Sequence, residues 1–242
     1  AVKSFARAQS LLAVDGVILI TNTVSVSGNE TWDLSGWGAA RVMRAASFHG
    51  MLVKVQRGGK LLLSRLTLDG GGTMVDGQPG GILGSQMIFV DEGGQLDMAA
   101  GARVTGHTTS LDVPFASPYF YAAIVAKGDV RMQSGSVVDH CLNAGRDSGA
   151  AGIYIGDAGS LLLAGGTVED CHNIYGAGGI HVNGAVQMTS GAVRDCSGHQ
   201  GGGVLVDTGD FTMSGGVITQ NTQISQNASD PGEAGGGLYV ST

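Results

Sequence analysis

Residues 177–221 read AGGIHVNGAVQMTSGAVRDCSGHQGGGVLVDTGDFTMSGGVITQN, and they hold two copies of one pattern. Each copy opens on a glycine step followed by an apolar-x-apolar triplet, Ile180-His181-Val182 and then Val204-Leu205-Val206. A second stretch follows, ending on Ser-Gly at Val186 to Gly191 and on Ser-Gly-Gly at Phe211 to Gly216. A third apolar piece is centred on Val193 and on Ile218. Working outward, the triplet recurs as Ile88-Phe89-Val90, Ile124-Val125-Ala126, Ile153-Tyr154-Ile155 and Leu238-Tyr239-Val240, giving intervals of 36, 29, 27, 24 and 34 residues. The second piece recurs at Val130 and Leu161, the third at Val137 and Val168.

Each piece is short, alternates with period 2 and is rich in Val, Ile and Leu, which is the pattern of a strand rather than a helix. Glycine separates the pieces and permits bends where φ is positive. Three short strands per repeat describe one coil of a parallel β-helix, in which equivalent residues of successive coils stack about 4.8 Å apart. A propeller blade needs four strands and a steadier length of about 40–45 residues. The reading is therefore all-β: a right-handed parallel β-helix (solenoid) of about eight or nine coils.

The coil lengths differ in one connection. Leu163 to Cys171, Met188 to Cys196 and Met213 to Asn221 each span eight residues. From the third strand to the next triplet the distance varies from eight residues (Cys196 to Val204) to seventeen (His107 to Ile124 and Asn221 to Leu238). Insertions in a solenoid gather on one side, often the binding side, so the long loops are expected along one edge.

Composition supports this reading. Of 242 residues 43 are Gly, yet Pro is only 4 and no every-third-residue Gly period exists, which excludes collagen. With 43% hydrophobic and 14% charged residues the chain does not read as disordered. No apolar run approaches the roughly 18 residues of a membrane-spanning helix, so membrane insertion by this segment is not expected. A net charge of −7 argues against nucleic acid as a partner. The three cysteines, Cys141, Cys171 and Cys196, form no CxxC pair and no zinc spacing.

Residues 1–50 depart from the repeat and read as an N-terminal cap with the first coils, residues 51–242 being the repeating coils of the same single domain. Residues 4–13 place Phe5, Ala8, Leu11 and Leu12 on one helical face, with Ser4 as N-cap. Such a short capping helix covers the open end of a first coil. Residues 17–26 then read as strand. The chain stops two residues after a triplet, so it is expected to be a piece of a longer protein.

The step Gly-Gly-x-[Ile/Leu/Val], standing as Gly201-Gly202-Gly203-Val204, Gly235-Gly236-Gly237-Leu238 and Ala177-Gly178-Gly179-Ile180, followed by Ile218-Thr219-Gln220-Asn221, resembles the repeats of polymorphic outer-membrane proteins and of repeat-rich bacterial adhesins. In Val168 to Cys171 and Val193 to Cys196 a Cys replaces the Asn. The Leu66-Thr67-Leu68-Asp69-Gly70 step also resembles the pectin-lyase-like superfamily. The resemblance implies an extracellular or cell-surface adhesin or stalk module that binds a glycan or host-surface protein without catalysis and without a cofactor. The alternative it leaves open is a polysaccharide lyase or glycoside hydrolase. The polygalacturonase steps are absent, Gly198-His199-Gln200 being a near miss.

Candidate sites follow from the coil geometry. Cys171, Cys196 and Asn221 are expected to stack at one turn, either as a ladder of small residues or as a redox-sensitive pair, with Cys141 one residue out of register. Asp139, Asp170 and Asp195 stand one residue earlier; they read as turn acceptors, with Ca²⁺ binding or acid–base chemistry as the sharper alternatives. The insertion at 107–123 (HTTSLDVPFASPYFYAA) holds four of the eleven Phe and Tyr residues and two prolines. Aromatic rings on a stiffened loop are efficient anchors. With the neighbouring connection they nominate Phe115, Tyr119, Phe120, Tyr121, Tyr175 and His172 as ligand contacts, the competing reading being a plug folded onto the coil.

Overall fold

The computed structural model describes residues 4–75, 78–110, 122–145, 149–224 and 235–241. Among them the one helix is Phe5–Gln9 and all other elements are strands. The triplets form an eight-stranded parallel sheet of Val24–Val26, Val53–Val55, Ile88–Val90, Ile124–Ala126, Ile153–Ile155, Ile180–Val182, Val204–Val206 and Leu238–Val240. Its register is unbroken, pairing Ile88, Ile124, Ile153, Ile180, Val204 and Leu238 in chain order. The sheet also includes Val24 and Val53, which pair with one another and on to Ile88. The repeat pattern did not reveal those two triplets.

The second and third strands of the repeat belong to one sixteen-stranded sheet that curls. One limb carries Asn29–Asp33, Lys60–Ser64, Gln95–Met98 and Asp129–Gln133; the other carries Val17–Ile20, Arg41–Arg44, Thr67–Asp69, Arg103–Thr105 and Val137–Ala144. The limbs meet in Ser160–Asn173, fourteen residues that pair with both. Here the expected break between strands is a bend inside a continuous strand. Gly165 sits at that bend with φ of 113°, and Gly191 has φ of 99° within the next long strand, Ala185–Arg194; a side chain would strain either. The register shifts at Met132/Gln133 opposite it, as at a bulge. These parallel ladders make the fold solenoid-like.

Within the core the first and third residues of each triplet point inward, as period 2 requires. Ile124, Ile153, Ile180 and Val204 are fully buried, each such side chain contributing about 1.5–3 kcal/mol. One continuous cluster runs from Phe5 to Val206. In the middle rungs the central triplet residues, which alternation sends outward, are also buried: Val125, Tyr154 and Leu205 form a second cluster with Ala122, Ala150 and Ala177. Burial, with Asp157 and Asp207 nearby, pushes the Tyr154 phenol up to about 12.

Three expectations need correction. Residues 17–26 are not one strand; Val17–Ile20 joins the curled sheet and Val24–Val26 the triplet sheet. The helix ends at Gln9, so Leu11 lies beyond it and is 61% exposed. Its N-cap is as expected, with the Arg7 N–H donating to Ser4 Oγ at 3.3 Å, and Phe5 stacks on Trp32 with ring centroids 4.7 Å apart. In the third strand Val138, not Val137, pairs with Val168, Val193 and Ile218 in turn. The tandem valines hid this one-residue slip, which inverts the inward and outward faces.

Candidate functional site

A left-handed residue recurs in the third ladder, at His140, Asp170, Asp195 and Gln220, with φ of 50°, 50°, 54° and 56°. Such a residue interrupts the period of 2, so residues three apart both face the core. Val138 and Cys141, Val168 and Cys171, and Val193 and Cys196 are each buried in this way. Cys141 is therefore in register with Cys171, contrary to the expected offset. The three thiols are free, and each donates to the carbonyl two residues back, at 3.1, 3.2 and 3.2 Å. Burial and the flanking thiols push the Cys171 thiol well above its usual value, so it stays protonated at neutral pH.

The same slip separates the three aspartates. Asp139 aligns with Glu169 and Arg194, whereas Asp170 stands at the left-handed position with His140 and Asp195. Asp139 is buried and held by Arg103, whose Nη2 lies 2.6 Å and Nε 3.0 Å from its carboxylate. Asp195 lies 3.4 Å from Arg194 Nη1. The structure does not gather these carboxylates around one point, and no group of His, Cys, Asp or Glu among the described residues is arranged to hold a metal ion.

What the ladder does gather is a chain of polar side chains. From Asp139 it passes to His140, whose Nδ1 is 3.1 Å from Asp139 Oδ2 and whose Nε2 is 3.1 Å from Asp170 Oδ2. His172 Nε2 is 2.9 Å from the other Asp170 oxygen, and His172 Nδ1 is 2.7 Å from Ser197 Oγ. Asp170 is thus clamped between two imidazoles from adjacent strands. Beside it lies a pocket of ≈ 350 Å³ lined by Gly72, Thr73, His140, Cys141, Leu142, Asp170 and His172. The hairpin of Gly72–Val75 and Gln78–Gly81, the one antiparallel pair among the described residues, packs against Thr108–Ser110 and Val137–Ala144 and walls the pocket on one side.

Of the residues nominated from the sequence, His172 lines this pocket and Tyr175 does not, though its backbone N–H donates to the buried Asn173 Oδ1 at 2.9 Å. Phe115, Tyr119, Phe120 and Tyr121 lie outside the described residues. Sequence reasoning passed over His140 and Ser197. The signal for both was their place beside Cys141 and Cys196, hidden for His140 by the one-residue slip at Val137. It also missed Asn143 and Asn173, fully buried neighbours whose Nδ2 atoms donate to the carbonyls of Ala150 and Gly149 at 3.1 and 2.9 Å across the variable connection.

Fold and site together define an all-β, solenoid-like protein of parallel sheets with a pocket beside a chain of polar side chains. Compared with known proteins, the chain matches no family model, no curated protein and no solved structure. Among the described residues no helix is long and apolar enough to cross a membrane.

Proposed function

We propose that the chain is a right-handed parallel β-helix of eight or nine coils serving as an extracellular or cell-surface adhesin or stalk module. It binds a glycan or host-surface protein along the edge that carries the long connections. The eight strands of the triplet sheet support the coil number. The observation that carries the binding reading is the ≈ 350 Å³ pocket whose polar wall is held in place before any ligand arrives. His172 Nε2 bonds Asp170 Oδ1 at 2.9 Å and His140 Nε2 stands 3.1 Å from its other oxygen, so the three side chains restrain one another and little side-chain freedom is lost on binding. A carboxylate between two imidazoles suits the hydroxyl groups of a neutral sugar, and the net charge of −7 disfavours a polyanion.

The test is a screen of immobilised glycans and host-surface proteins with the full chain, repeated with His140→Asn. Asparagine tolerates the left-handed backbone there, so the fold is retained while the imidazole is lost. Affinity for the ligand found should fall about tenfold or more, roughly 1.4 kcal/mol. Binding that is unchanged in a folded variant rejects this site.

A further inference from the structure

The geometry beside the pocket supports a chemistry separate from ligand capture: we propose that Ser197, His172 and Asp170 form a nucleophile, base and orienting carboxylate that hydrolyse small carboxylic esters. A nucleophile within hydrogen-bond reach of a base, itself oriented by a third group, is the recurrent arrangement of covalent acyl transfer on unrelated folds. Here Ser197 Oγ is 2.7 Å from His172 Nδ1, and His172 Nε2 is 2.9 Å from Asp170 Oδ1. A carboxylate only accepts, so Nε2 carries the imidazole proton. The Nδ1 lone pair then faces the hydroxyl, and Ser197 donates to it.

The set is anchored from behind. The second oxygen of Asp170 is held by His140, which reaches Asp139, which Arg103 grips. That chain crosses four neighbouring strands of one ladder, Arg103–Thr105, Val137–Ala144, Ser160–Asn173 and Ser197–Gly198. Strand stacking alone does not call for an imidazole here. The same column runs Leu142, His172, Ser197, Thr222, so an aliphatic side chain and a hydroxyl serve equally well on neighbouring rungs. His172 also lines the pocket, which places room for part of the ester beside the base.

In the reaction Ser197 Oγ attacks the ester carbonyl carbon while its proton passes to His172 Nδ1, and Asp170 stabilises the imidazolium at Nε2. The bond from the carbonyl carbon to the alcohol oxygen breaks, and that oxygen takes the proton from Nδ1. Water then attacks the acyl-serine with His172 again as base. The products are the alcohol, the carboxylic acid and free Ser197.

The experiment treats the full 242-residue chain with an alkyl fluorophosphonate, in which the serine oxygen displaces fluoride from phosphorus, and follows p-nitrophenyl acetate hydrolysis in parallel. Expected are phosphonylation mapped to Ser197 and its loss in Ser197→Ala. Labelling should fall about 100-fold or more in His172→Gln, because base and nucleophile act as a unit. Asp170→Asn, a positioning variant, should slow labelling and change its pH profile, since the amide can favour the wrong imidazole tautomer. Thr222→Ala should label like the parent. No modification of Ser197, or modification equally fast in a folded His172→Gln chain, overturns the proposal. Should His172→Gln fail to fold, Ser197→Cys decides: alkylation by iodoacetamide that persists below neutral pH supports an activated nucleophile, and ordinary thiol behaviour overturns it. Labelling is scored without any glycan, so its outcome is independent of the binding reading.

Discussion

His107 stands far from water. It stands one position before the pair Thr108–Leu142, next to Cys141 in the inward column. Its side chain is fully buried and neither ring nitrogen finds a hydrogen-bond partner. Burial, with the charge of Arg44 nearby, pulls its pKa down to about 3 from 6.5. Arg44 itself is buried with its guanidinium on the carbonyls of Phe48, Gly50 and Ser85, and burial lowers it to about 10. Between pH 6.5 and 3 the unfolded chain binds a proton at His107 that the folded chain refuses. Stability should therefore be intact above pH 6.5 and fall by up to about 1.4 kcal/mol per pH unit as the pH drops toward 3. His107→Cys, which extends the column of Cys141, Cys171 and Cys196, should flatten that acid limb. Urea midpoints at pH 7, 5.5 and 4 measure it, and parallel slopes for the two chains would contradict the account.

At the scale of the element, the glycine pairs before the triplets act by close approach rather than by dihedral freedom. Gly178, Gly179, Gly202 and Gly203 have no left-handed φ, unlike the glycines of the bends. A Cβ at Gly178 would lie 2.5 Å from the carbonyl oxygen of Ser197 and closer still to that of Gly202. Adjacent coils touch backbone to backbone there, and only hydrogen fits. Gly178→Ala should cost about 1–3 kcal/mol, read from chemical denaturation. Gly58→Ala makes an instructive contrast: space is open, φ is 77°, and the cost of about 1–2 kcal/mol comes from backbone strain alone. The curled sheet shows the same economy in Ser160–Asn173, where a glycine bend keeps a single strand in two ladders.

For the whole molecule, stacking makes each rung's stability depend on its two neighbours. Ile180 is fully buried between Ile153 and Val204, whereas Leu238 is 42% exposed and pairs with Val204 on one side. Ile180→Ala should cost about 2–5 kcal/mol and Leu238→Ala less than half as much. Hydrogen exchange should follow the same order, with amides of Ile153–Ile155 and Ile180–Val182 outlasting those of Leu238–Val240. Equal protection along the triplet sheet would show an all-or-none unit instead.

The amino-acid sequence by itself determined the repeat, the strand character of its pieces, the parallel in-register triplets and the Ser4 cap, because period-2 alternation and glycine punctuation are local properties of the chain. Its reading stopped where a choice depended on a neighbouring coil. The tandem Val137-Val138 offers two registers of equal local merit, and only the left-handed backbone at His140, stacked on Asp170, selects the one that buries Cys141. That one-residue choice brings His140, Asp170, His172 and Ser197 into a single chain of polar contacts, although they come from three strands far apart in sequence. The hairpin wall of the pocket, the second apolar cluster and the isolation of His107 likewise arise from tertiary stacking, since burial and hydrogen-bond partners are properties of the assembled coils.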